Sequence, residues 1–278
     1  MLMFMAVVIS VAIEAGQRSE VGVVVVGAGM AVVMGSVSII GLEKAGFRSL
    51  RRSRRIAPIV DQHATGIRIP MGHTVPFLII SLGACSVFCL SAAITWYFGV
   101  AETLLPGGRD TKGGAIFMAI CGGGALAVAA FLLLVRNVTE FSIYPTGVRR
   151  YVRQWWGLSS KTHDAFLLWD DIAQISADEL VTGTGRTEER NPRITLRSTT
   201  PIPAGQQLKF DAENEITVMA HQLVAEPNTL LSLLRFLKDN PDQRDIVARP
   251  DARELLTPPP LRERFHAARL ANKAGSDV

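Results

Sequence analysis

Three stretches of this chain, residues 21–42, 75–100 and 115–135, contain no Asp, Glu, Lys, Arg or His. Crossing about 30 Å of hydrocarbon takes about 20 apolar residues at about 1.5 Å each, and every one of these stretches reaches that length. Hydrocarbon offers no water, so each backbone N–H and C=O inside it must find a partner within the chain, and such stretches are expected to be helices. A fourth apolar run, residues 2–16, is short and takes in Glu14. It lacks the basic first region of a secretory signal and reads as a marginal fourth span. The expected fold class is a membrane α-helical bundle of three to four transmembrane helices over residues 1–135, followed by a separate polar domain.

The net charge of +4 does not point to nucleic acid. Residues 1–135 carry 10 basic and 6 acidic side chains, whereas residues 136–278 carry 19 of each, so the excess sits in the apolar half. A nucleic-acid footprint would need a basic face on the polar domain, and no nucleic-acid partner is expected. Basic residues near span ends are retained on the cytoplasmic side. Arg51, Arg52, Arg54 and Arg55 follow the first long span, and Arg136, Arg149, Arg150 and Arg153 follow the last; between the final two spans, Arg109 and Lys112 are balanced by Glu102 and Asp110. The polar domain is therefore expected in the cytoplasm, beneath the inner (plasma) membrane.

Small residues recur at every fourth position in each span: Gly27, Ala31 and Gly35; Ser81, Cys85, Cys89 and Ala93; Ala115, Ala119, Gly123 and Ala127. That spacing places them on one helix stripe, where close backbone approach can drive association that lipid alone does not. All three cysteines, Cys85, Cys89 and Cys121, fall inside spans and read as small packing residues rather than a disulfide framework. Val23 to Val26 followed by Gly27-Ala28-Gly29 imitates the strand and glycine turn of a dinucleotide-binding unit. The third small position is Val32, however, and Arg48-Ser49-Leu50-Arg51-Arg52 stands where a second strand ending in an acid is needed. A flavin or dinucleotide enzyme is the least favoured reading, and no cofactor is expected.

From Arg136 onward the pattern changes to short alternating runs with Gly, Pro, Asn and Asp between them. Phe141 and Ile143, Val148 to Trp156, Ala165 to Ile175, Ile194 and Leu196, Leu208 and Phe210, and Ile216 to Ala220 give six or so strands of an antiparallel sheet. The period then turns helical at Leu230, Leu233, Leu234 and Leu237, with Pro227 fitting the first turn and Pro241 ending it. A charged tail with Pro258-Pro259-Pro260 completes residues 241–278.

The run Tyr144-Pro145-Thr146-Gly147-Val148, then Trp169-Asp170-Asp171-Ile172 with Ile175, then the Leu-rich helix, resembles the bacterial pleckstrin-homology-like domains attached to membrane helices, particularly in actinobacterial membrane proteins. The resemblance covers residues 136–240. It implies a β-barrel or sandwich closed by one C-terminal helix, and a scaffolding or assembly role rather than an enzyme. Arg149, Arg150, Arg153 and Lys161 lie where pleckstrin-homology domains often place phosphate-binding residues. With Arg51, Arg52, Arg54 and Arg55 they are candidate contacts for anionic lipid; a solvated face obeying the inside-positive rule is the competing reading.

No catalytic constellation stands out. His63, His73, His163, His221 and His266 show no metal-ligand spacing, and adjacent Asp170 and Asp171 on a strand would face opposite ways. The expected function is that of a membrane anchor for a cytoplasmic interaction or scaffolding domain, with the bilayer and either a protein partner or a second copy as partners. A transporter or channel accessory subunit is the alternative, and the lack of ionisable residues within the spans weighs against it.

Overall fold

The computed structural model describes isolated positions between residues 31 and 41, then residues 52–62, 64–72, 74–99, 105, 111–183, 189–260 and 262–264. Contacts divide the chain into two compact units: one contains His73–Arg136 and Trp156–Leu158, the other Gly46–Gly72, Asn137–Trp155 and Ser159–Val278, with Met1–Ala45 assigned to the first.

The first unit is built on helix α1 (Thr74–Tyr97) and helix α2 (Lys112–Leu134). Thr111 starts α2 by accepting a hydrogen bond from the Gly114 N–H at 3.1 Å, and Gly99, at φ +64°, takes the left-handed conformation that ends the α1 segment. Apolar side chains point outward along both helices, Val87 and Ile120 each being 68% exposed. Both helices are long and apolar enough to cross a membrane. The hydroxyls of Ser81 and Thr95 return their protons to the carbonyls of Phe77 and Ser91, four residues earlier.

The two helices meet over Ser81, Cys89 and Ala92 of α1 and Ala115, Met118 and Gly122 of α2. A Cβ at Gly122 would stand 2.9 Å from Leu90 Cγ and 3.0 Å from the Leu90 backbone nitrogen, so only glycine permits this approach. Cys85 and Ala93 are half-buried beside the contact. On α2 the expected stripe is displaced: Ala115 is buried, but Ala119, Gly123 and Ala127 are exposed. A strict four-residue repeat drifts around a helix of 3.6 residues per turn, so the contact follows residues 115, 118 and 122 instead.

Among its described residues the second unit holds eight strands. Strands β1 (Ala57–Asp61), β2 (Ala64–Pro70), β3 (Asn137–Ile143), β4 (Gly147–Trp156) and β5 (Ser159–Leu168) form a five-stranded sheet in that order. Strands β6 (Ile172–Thr182), β7 (Glu189–Ser198) and β8 (Glu215–Val218) form a second sheet of three. Every pairing with a resolved register is antiparallel. One core joins the inner faces of both sheets to Leu230, Leu233, Leu234 and Leu237 of helix α3 (Pro227–Asp239), and to Val247, Ala252 and Leu256 from the two 3-10 segments that follow it. Glu226 caps α3 by accepting from the Thr229 N–H at 2.5 Å, and Pro227 occupies its first turn.

This architecture corrects the expected fold class. Among the described residues two helices, not three or four, are long and apolar enough to cross a membrane. The expected span at 2–16 lies outside the described residues. So does most of the one at 21–42, where Gly27 falls; Ala31 and Gly35 are described as helical positions. In place of six or so strands of one barrel or sandwich confined to residues 136–240, there are eight strands in two sheets, and the first two come from residues 57–70. No strand is expected in that segment from the sequence, since only the arginines that precede it drew attention. It nonetheless alternates Ile67 in, Arg68 out, Ile69 in, and Ile67 and Ile69 pair with Ile143 and Phe141 of β3. The two apolar helices are thus inserted, in sequence, between hydrogen-bonded neighbours β2 and β3.

Candidate functional site

Strand β4 places two consecutive arginines on opposite faces of the five-stranded sheet, because side chains alternate along a strand. Arg149 faces outward. Its Nε and Nη2 donate to the two oxygens of Asp164 at 2.7 and 2.6 Å, and its Nη1 donates to Asp61 Oδ2 at 3.0 Å. The Tyr144 hydroxyl donates to the same Asp61 oxygen at 2.6 Å. This node ties β1, β4, β5 and the β3–β4 turn. The hydrogen bonds from Arg149 to Asp164 raise the guanidinium further above its ordinary range, against the opposing effect of burial. Burial, then the bond to Asp61, pushes the Tyr144 phenol up.

Arg150 faces inward beside Phe141, its cross-strand partner, and is 2% exposed. Its Nη1 and Nη2 reach Asp211 Oδ1 and Oδ2 at 2.7 and 2.6 Å, and the same nitrogens donate to the carbonyls of Thr217 and Gln206. Asp211 also accepts the backbone N–H of Leu208 at 2.7 Å and of Thr217 at 2.9 Å. Each carboxylate oxygen therefore takes two bonds, which fills the acceptor capacity of the group. The pair locks the first sheet to the loop that leads into β8. Arg150 is consumed in this lock and presents no charge to a lipid headgroup.

The remaining candidates for anionic contact are more open. Arg153 lies over the Trp155 ring, 4.1 Å from its centroid. Arg55 donates to the Met71 carbonyl at 2.6 Å. Arg52 and Arg54, with Ser53, Ile56, Arg253 and Thr257, line a cavity of about 350 Å³. Glu254 approaches Arg52 to 3.8 Å at its edge. Arg51 lies outside the described residues.

No group of three or more His, Cys, Asp or Glu that could hold a metal occurs among the described residues. Asp170 and Asp171 fall in a 3-10 turn, where Asp170 accepts from Arg244 Nη1 at 3.0 Å. His163 is buried on β5. Comparison with family models, with curated proteins and with solved structures found no match.

Sequence reasoning overlooked Asp61, Asp211, Arg253 and Leu158. Asp61 could have been found from the alternation of β1 and β2. Asp211 and Arg253 carry no local signal, because Arg150, with which Asp211 pairs, and Arg52, which lines the same cavity as Arg253, lie far away in the chain. Leu158 stands out only once the β4–β5 turn is known.

Proposed function

We propose that this chain is a multi-pass protein of the bacterial plasma membrane whose helix pair anchors a cytoplasmic interaction or scaffolding module. The observation that carries the reading is the insertion of two uncharged helices between β2 and β3. Paired strands must lie on one side of any bilayer, and α1 and α2 between them supply an even number of crossings. Arg52, Arg54, Arg55 and Arg68 before the pair, and Arg136, Arg149 and Arg153 after it, favour the cytoplasmic side for the sheets. The interaction role follows the resemblance carried by residues 144–148 and 169–172 to modules of bacterial membrane scaffolds. The partner is a protein or a second copy of this chain.

Carbonate washing of membranes tests the anchor: the chain is expected to stay in the pellet until detergent is added, and release by salt or carbonate alone would reject it. Reporter fusions after Gly107 and Asn240 test the sidedness. An external signal at Gly107 and an internal one at Asn240 are expected, and the reverse would overturn the orientation.

A further inference from the structure

Strands β4 and β5 are joined by Gly157 and Leu158 alone, with Gly157 at φ +59° in the first central position, as a two-residue turn of the II′ type requires. The tip carries a dense apolar load. Trp156 is 67% exposed and Leu158 is fully exposed, the most exposed of the large apolar side chains among the described residues. In water such a tip is unfavourable, and nothing in its strand pairing needs those two residues to be apolar. What sets it apart from a scattered surface leucine is its position: the Gly157 N–H donates to the carbonyl of Leu134, the last residue of α2, at 3.0 Å.

Helix α2 has 23 residues. At about 1.5 Å per residue it is about as long as the hydrocarbon layer is thick, so its last carbonyl comes to the boundary between tails and headgroups. A turn bonded to that carbonyl sits at the same depth. Tryptophan prefers this layer because its ring is apolar and its N–H is polar, and arginines beside it can reach the phosphates. Arg153, stacked on Trp155, and exposed Lys161 flank the tip on the two strands.

We infer that the β4–β5 turn is a membrane-interface anchor, with Trp156 and Leu158 seated among lipid headgroups and upper acyl chains beside the end of α2. This rests on the proposed membrane anchoring by α1 and α2, and it adds a contact with lipid made by the Trp156–Leu158 turn, which belongs to the same unit as those helices. The occupant of the apolar tip is the bilayer rather than another protein, because the tip is tethered at the depth where α2 leaves hydrocarbon.

The test uses the full chain in mixed phosphatidylcholine and phosphatidylglycerol vesicles, with tryptophan emission quenched by lipid brominated just below the carbonyl and, separately, by iodide in the water. In a Trp155→Phe background, taken as the wild type for this test, the chain is compared with and without Trp156→Phe: the difference isolates Trp156, Trp169 is buried in the sheet core away from both quenchers, and Trp96 in α1 remains to report insertion of the helix pair. Trp156 is expected to be quenched by the brominated lipid and shielded from iodide. Leu158→Asp, which keeps Trp156 but lifts the tip, is expected to reverse both results. If the Trp156→Phe chain shows the same lipid quenching as wild type while Trp96 is still quenched, the tip is not in lipid and this inference fails, although the anchor stands. Loss of lipid quenching from Trp96 as well would reject the anchor itself. Shielding of Trp156 from iodide without lipid quenching would mean that protein covers it, which also overturns the inference.

Discussion

Helices α1 and α2 meet where a glycine lets one backbone approach another, whereas the two sheets of the second unit are tied through an arginine and an aspartate removed from water. In the helix pair every buried contact is made by small or apolar groups, and the large apolar side chains face outward. In the sheet unit the large apolar groups face inward, and one full ion pair accompanies them. The contrast is the one that the proposed membrane location of α1 and α2 requires, because solvent sets the rules. Where the surroundings are already apolar, shape alone distinguishes inside from outside. Where the surroundings are water, burial itself is favourable, and the buried Arg150 charge is tolerated because a carboxylate and two carbonyls take the bonds of its Nη1 and Nη2, although its Nε finds no partner.

The sharpest way to break that comparison is to remove one half of the buried pair. Asp211→Ala leaves the Arg150 guanidinium uncompensated and is expected to destabilise the sheet unit by about 3–5 kcal/mol in chemical unfolding. Asp164→Ala, which strips the outward Arg149 of a partner whose side chain is 40% exposed, is expected to cost at most about 1 kcal/mol. Equal losses would mean that burial does not separate the two arginines.

The helix pair is tested by neighbouring glycines. Gly122→Leu must push Leu90 aside and is expected to cost about 1–3 kcal/mol in thermal unfolding of the detergent-solubilised chain. Gly123→Leu meets open space, with nothing within 4 Å of its Cβ, and is expected to change little. The opposite order would move the contact back to the four-residue stripe.

A smaller effect is expected at Tyr144. Its phenol is held above the ordinary value, so its contribution is intact below about pH 10 and is lost as pH rises through the raised value. Tyr144→Phe should lose about 0.5–1.5 kcal/mol at neutral pH, for one hydrogen bond, and should flatten the alkaline decline in stability. A decline unchanged in the variant would assign it to another group.

The smallest effect is expected at the rim. The hydrogen bond from Arg193 holds the exposed Asp178 carboxyl below its ordinary range. Its contribution is therefore present above the ordinary carboxylate pH and fades as pH falls through the lowered value. Asp178→Asn should leave stability at neutral pH within measurement error, and a clear drop would show that exposure is a poor guide here.

Much of the scaffold is legible without coordinates. Absence of charge over residues 75–100 and 115–135 marks the two helices, whose observed limits are Thr74–Tyr97 and Lys112–Leu134. The spacing of Leu230, Leu233, Leu234 and Leu237, with Pro227 and Pro241 at the ends, marks α3. Strands β1 and β2 escaped notice because Arg54, Arg55 and Arg68 dominated their stretch, although Ile67 and Ile69 alternate correctly. The role of Arg150 was misleading for a different reason. A basic residue on a strand looks the same whether it meets water or an aspartate 61 positions away.

By itself the sequence determined that three long uncharged segments cannot be ordinary surface helices, that the basic excess gathers beside them, and that a leucine-faced helix follows a series of strands. These are local properties, set by side-chain chemistry and by the periods of helix and strand. Only the tertiary structure decided that the helices lie between two paired strands, that Gly122 rather than Gly123 makes the contact, that Arg150 is spent on Asp211, and that the Trp156–Leu158 turn is bonded to the end of α2. Each of those depends on which distant segments come together, and the short-range pattern of a chain carries no record of that.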